Sequence, residues 1–207
     1  QHFLDMTGPH ITAYAQGVLE STRESIQEAI AEAGYADWSA VADELAAAHP
    51  SAVGYLDRFR QVWDAARHDA VDRGLLTWPD FPITFEPIPE WARSAAPHLY
   101  FLFYRCPPAF DDGQVQRYLV PPIEHLAPDQ QEAVLRTVND AQITMNHVIH
   151  HAGIGHHVQN WHAARAESRV GRIAGNDCSM RIAMSSGGTF VEGWACYATD
   201  LMEEVGF

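Results

Sequence analysis

From Pro9 to about Gly34 the apolar residues Ile11, Ala15, Val18, Leu19, Ile26 and Ile30 recur at helical spacing with acidic residues between them, which predicts an amphipathic helix. Asp37 is placed to cap a second helix that runs to about Ala48 and is closed by Pro50. Ser51 is placed to cap a third that runs through Arg73 and stops at Gly74. Three helices therefore fill residues 1–75. The pattern changes at Leu76, because ten of the twelve prolines lie between Pro79 and Pro128. Proline fixes φ and lacks an N–H, so this stretch is expected to be extended chain, short edge strands and turns. Within it, the apolar run from Leu99 to Tyr104, the turn Asp111-Asp112-Gly113 and the run from Gln114 to Val120 predict a β-hairpin. Helical periodicity resumes near Asp129. Val134, Val138, Ala141, Met145, Val148 and Ala152 form one continuous stripe, which predicts a single long helix ending at about Ala152. Gly153 and Gly155 interrupt it, a further helix runs from His156 to about Arg169, and a last one from Thr189 to Val205. The expected fold is mainly α, with a small proline-rich β-hairpin insertion.

A chain with 47% hydrophobic and 11% aromatic residues can bury a core, which excludes wholesale disorder and fibrous repeats. Thirteen basic against 27 acidic side chains give a net charge of −14, and all the basic residues are arginine. Such a surface repels phosphate backbones and anionic lipid, so neither nucleic acid nor a membrane surface is expected as a partner. No apolar run approaches the roughly 20 residues that cross a bilayer. Cys106, Cys178 and Cys196 are odd in number and far apart, which supports neither a disulfide scaffold nor a thiolate zinc knuckle. The chain opens on Gln1 rather than Met, and Phe207 directly follows a predicted helix end. These 207 residues are therefore expected to be a partial domain from a longer protein, whose compartment the sequence leaves open.

Half of the twelve histidines, His147, His150, His151, His156, His157 and His162, fall within sixteen residues. Imidazole is a common protein ligand for zinc and also suits iron, copper and nickel, and a helix presents ligands at a fixed pitch. The alternative is a solvated, histidine-rich helix face. At about 100° per residue, His147 and His151 share one flank of the apolar stripe and are the natural ligand pair on spacing alone, with Asp140 available to orient an imidazole from behind. His150 sits nearly opposite the stripe and matters only if something covers that face.

The string His150-His151-Ala152-Gly153-Ile154-Gly155-His156-His157, followed by Glu192-Gly193-Trp194-Ala195-Cys196-Tyr197-Ala198, resembles the bacterial domain-of-unknown-function family 885. That family's signature is H-E-x-x-P-G-H with a downstream E-G-W-A-x-Y-A. The Pro107-Pro108-Ala109-Phe110-Asp111 turn resembles it too, and the likeness covers about Leu76 to Phe207. The resemblance implies a zincin-like helical metal-site core in which His150, His156 and Glu192 bind a divalent metal, zinc foremost. It also implies hydrolysis of a small peptide or related amide substrate. Two imidazoles, a carboxylate and one open position are the donor set of a catalytic zinc site. A break at Gly153 to Gly155 lets both histidines turn inward, with His157 pointing elsewhere.

The family's glutamate after the first histidine is His151 here, and its proline is Ile154. Three readings follow: a hydrolase with His151 as general base, a non-hydrolytic metalloenzyme with additional imidazole ligands, or an inactive metal-binding relative. Glu192 also fits a capping box with Thr189. Tyr104 and Tyr197 can donate to an oxyanion, although core packing is the expected role of both, as it is for Trp161 and Trp194. Arg165, Arg169 and Arg172 can clamp a substrate carboxylate, against the plainer expectation of a solvated or salt-bridged face.

Overall fold

A computed structural model of the chain describes residues 5–95, 116–174 and 188–207. It divides into two units, Gln1–Ala48 and His49–Phe207. In the first, α1 (Gly8–Glu32) begins at the N-cap Thr7 and α2 (Trp38–Ala47) at the N-cap Asp37. Asp37 accepts a hydrogen bond from the Ala40 backbone N–H, as the sequence predicts. Tyr35 donates from its hydroxyl to Glu44 across the connection.

The second unit is built around α3 (Tyr55–Asp72), whose buried Tyr55, Phe59, Val62, Trp63, Ala66 and Ala70 follow helical spacing. Its cap differs from the expectation. Ser51 Oγ accepts from the Gly54 N–H, closing a turn before the helix, and α3 starts at Tyr55 behind Gly54. The proline-rich segment supplies β1 (Ile83–Pro87), a 3₁₀ turn (Glu90–Ala95) and β2 (Gln116–Val120). Among the described residues β1 and β2 form a two-stranded parallel sheet with Phe85 opposite Tyr118. Leu99 to Tyr104, the expected hairpin partner of β2, lies outside the described residues. Among the described residues, the partner of β2 comes from the opening of the proline-rich segment. Phe59 of α3 meets Phe85 and Tyr118 at ring distances of 5.8 and 6.1 Å, which seats the sheet on the helix.

The predicted long helix from Asp129 is in fact two elements. α4 (Pro128–Thr137) ends at Val138, whose ψ of 58° leaves the helical region. Asn139 Oδ1 then accepts from the Gln142 N–H and opens a new helical start. Gln142–Ala152 winds as a π-helix, with hydrogen bonds to the fifth residue in place of the fourth. That winding displaces the predicted stripe. The buried side is Ile143, His147, Val148, Ile149 and Ala152, whereas Ala141 and Met145 are only half-buried.

α5 (His156–Ala164), α6 (Arg169–Ala174) and α7 (Gly188–Glu204) complete the unit, so the helix expected to reach Arg169 ends five residues early. Both α3 and α7 pack on the π-helix. Trp63 of α3 donates from Nε1 to the carbonyl of Ala152, 2.8 Å away and buried, satisfying an orphan acceptor at the π-helix end. Trp63→Phe removes that donor and trims part of the ring that packs on Trp78 and His157. The expected cost is about 1–3 kcal/mol, read as a lower urea midpoint at unchanged slope. The described chain is thus mainly helical with a small sheet, and no described helix is long and apolar enough to cross a membrane.

Candidate metal centre

The π-helix decides where each histidine points. His147 faces the core, 1% exposed, with Nδ1 2.8 Å from the Tyr118 hydroxyl and its ring 5.7 Å from Phe59. The expected pairing of His147 with His151 as ligands is therefore not made, and Asp140 orients no imidazole. It instead accepts a 2.8 Å hydrogen bond from Arg58 Nε. His151 lies between His147 and His150, its ring 6.4 Å from the first and 4.6 Å from the second, and α7 supplies the covering face that His150 requires.

Gly153 and Gly155 turn the chain sharply between the π-helix and α5. The Gly155 N–H donates to the Ile149 carbonyl at 3.1 Å, and a Cβ on Gly155 would fall inside the van der Waals envelope of the His150 carbonyl. The turn delivers His156 to the cluster and sends His157 away. His157 Nε2 donates to the Phe81 carbonyl at 2.7 Å, and its ring stacks on Phe81. Trp194 of α7 holds the turn in place, since its Nε1–H is shared between the carbonyls of Ile154 at 3.0 Å and Gly155 at 3.1 Å. Its expected core role is only half right. It is half-buried, and it sets the position of Glu192 two residues earlier in α7. The E-G-W-A string contains that signal, but nothing local to it identifies the acceptors.

Ligand-type atoms of His150, His151 and His156 lie within 4.8 Å of one another. Glu192 Oε2 stands 3.4 Å from His150 Nε2 and 3.6 Å from His156 Nε2. These separations exceed the usual range of a charge-assisted hydrogen bond. They match donors around a shared ion, because ligands about 2.0–2.1 Å from a tetrahedral zinc lie about 3.3 Å apart. The donor set therefore fits a divalent metal. The two imidazoles are largely covered, at 17% and 11% side-chain exposure, while Glu192 at 64% opens the cluster to solvent. α7 already includes Gly188 and Thr189, so Glu192 lies within the helix and its carboxylate faces the imidazoles.

His151 has a defined tautomer. Its Nδ1–H donates to the Asn146 carbonyl at 2.7 Å, which leaves the lone pair on Nε2. Burial lowers its pKa to about 4 against the raising effect of that carbonyl, with His150 and His156 adding repulsion, so the ring is neutral near pH 7.

Of the remaining expectations, Tyr197 is 52% exposed rather than core. Trp161 is half-buried, and the Arg165 guanidinium sits 4.5 Å over its ring. Arg172 donates from Nε to the Ala166 carbonyl. Arg165 and Arg169 are exposed, as a solvated face requires, and none of the three arginines is in an ion pair among the described residues. Tyr104, Cys106 and Cys178 lie outside the described residues.

The family model of bacterial proteins of unknown function DUF885 matches residues 1–207. The chain belongs to the DUF885 family. Among solved structures, a candidate lipoprotein of unknown function from Shewanella oneidensis aligns over 98% of this chain with a TM-score of 0.69 and 20% identity. At 20% identity the likeness extends to the fold alone, and the chain spans 35% of that protein's length. No curated protein matches. Within the DUF885 chain, the break and α7 together place His150, His156 and Glu192 in one cluster, with His151 beside them.

Buried histidines also set an acid limit. Burial lowers the pKa of His147 to about 3, with His151 adding repulsion, and that of His157 to about 4, partly offset by the Phe81 carbonyl. Above pH 6.5, the ordinary value, both rings are neutral whether the chain is folded or unfolded. Below it only the unfolded chain gains the protons, so stability falls as pH drops toward 4 and then 3. By pH 5 each is expected to cost about 2 kcal/mol. Urea midpoints of metal-free protein at pH 7.5 and pH 5 check this, and equal midpoints would contradict it.

Proposed function

We propose that the cluster is the centre of a metal-dependent hydrolase acting on a peptide or related amide, in the manner of zincin-like peptidases. The observation that carries this reading is the convergence of His150 Nε2 and His156 Nε2 on Glu192 Oε2, at 3.4 and 3.6 Å. A zinc ion held by these three would polarise the scissile carbonyl and bring the pKa of water near neutrality. The chain's own part follows from the tautomer of His151. With Nδ1–H committed to Asn146, Nε2 is the atom that accepts the water proton and returns it to the leaving amine. His151 thereby takes the role of the glutamate in the family pattern. The mouth at Glu192 admits substrate, while Trp194 keeps the broken helix and α7 in register.

A second reading rests on the same residue. A histidine with one nitrogen held by a backbone carbonyl and a ring nitrogen within 4.8 Å of ligand atoms of two further imidazoles has the usual setting of a metal ligand. A three-histidine, one-carboxylate site would suit iron, manganese or copper and non-hydrolytic chemistry. His151→Gln separates the two. As a base variant it should keep about one zinc per chain while turnover of a quenched peptide library falls about a hundredfold, and His151→Glu, which restores the family glutamate, should recover it. Loss of metal from His151→Gln would decide for the second reading.

A further inference from the structure

A cleft of about 300 Å³ opens beside the cluster, lined by Met145, Asn146, His150, Cys196, Thr199 and Asp200. His150 is common to the cleft and the metal-ligand set, so a substrate held at the centre has this cleft as a neighbouring space. Its volume suits one long side chain at the small end of ligand sites.

Its chemistry is one-sided. Thr199 donates its hydroxyl proton to the Ala195 carbonyl, and the Asn146 amide nitrogen turns to Gln142. What these two still offer are oxygen lone pairs. Asp200 adds a carboxylate that no arginine or histidine neutralises among the described residues. Met145 supplies the apolar wall. An apolar wall leading to an unpaired carboxylate matches a side chain with an aliphatic stem and a cationic head. The net charge of −14 attracts the same ligand over a longer range.

We propose that this cleft is a specificity site that selects a basic side chain, arginine or lysine, next to the bond presented to the metal centre. The proposal rests on the hydrolase reading. Asp200 sits one and two helical turns beyond Cys196 and Glu192 on α7, so the element that places the carboxylate ligand also places the selector.

The test is binding of hydroxamates to the zinc-reconstituted protein, which needs no turnover. Nα-acetylarginine hydroxamate is expected to bind about fivefold tighter than Nα-acetylnorleucine hydroxamate, the size of effect a solvent-exposed ion pair gives. Asp200→Asn should erase that preference and leave the norleucine compound unchanged, which also shows that the variant is folded. Equal affinity of the two compounds for the parent protein would overturn the cleft assignment while leaving the metal centre standing. So would a preference for norleucine hydroxamate with a free α-amine over its acetylated form that Asp200→Asn abolishes, because the selected cation would then be the amine. No hydroxamate binding at all, with zinc bound, would overturn the hydrolase reading and the proposal with it.

Discussion

His156→Ala is expected to lose its metal and His157→Ala to keep it, although the two residues are adjacent. His156 Nε2 stands 3.6 Å from Glu192 Oε2, whereas His157 spends its Nε2–H on the Phe81 carbonyl. A structural zinc site is worth on the order of 10–16 kcal/mol in total. One of three or four ligands thus accounts for a few kcal/mol, and its removal should weaken binding by about a thousandfold. His150→Ala and Glu192→Ala belong with His156→Ala. His157→Ala should instead lower the free energy of unfolding by about 2 kcal/mol, through a buried carbonyl left without its donor and a lost ring stack. Elemental analysis after dialysis against a chelator and reconstitution, run beside a urea titration, reads both effects. Metal retained in His156→Ala would remove the cluster from the reading altogether.

Gly155→Ala is expected to disable the same centre without touching a ligand. The added methyl would meet the His150 carbonyl group and the Ile149 carbonyl, all backbone atoms of the turn the site depends on. Backbone cannot step aside as a flexible side-chain end can, so the turn must open. Opening it breaks the Gly155 N–H bond to Ile149 and the shared bond from Trp194. About 3–5 kcal/mol of destabilisation follows, at the high end for a single methyl, with weaker metal binding in whatever remains folded. Gly193→Ala is the control. A Cβ there meets nothing within 4 Å, and it lies beside Glu192 on α7. Its metal content should match the parent's and its free energy of unfolding should equal the parent's or exceed it by up to about 1 kcal/mol of helix propensity, and equal midpoints for the two alanine variants would refute the close approach at Gly155.

Local rules read much of this chain well. The Asp37 cap, the body of α3, the glycine break and the final helix all depend on residues within one or two turns of each other. His150, His156 and Glu192 were legible through the family pattern, which carries spatial information that spacing lacks. The unbroken helix from Asp129 was not, because the stripe from Val134 to Ala152 assumes 3.6 residues per turn throughout. Asn139 caps a second start, and the π-winding after it moves the core side onto Ile143, His147, Val148 and Ile149.

Helical class, the place of the break and the crowding of imidazoles around it follow from the residues alone, since propensity, glycine and imidazole act where they stand. Where each histidine points depends on tertiary packing. His147 is fixed in the core by Tyr118 and Phe59, the break is pinned by Trp63 and Trp194 from 89 and 40 residues away, and β2 pairs with Ile83–Pro87. Widening each turn, by moving the hydrogen bonds from the fourth to the fifth residue, rotates every later side chain. The free energy that holds it comes from distant packing and buried hydrogen bonds, which no local window of sequence contains.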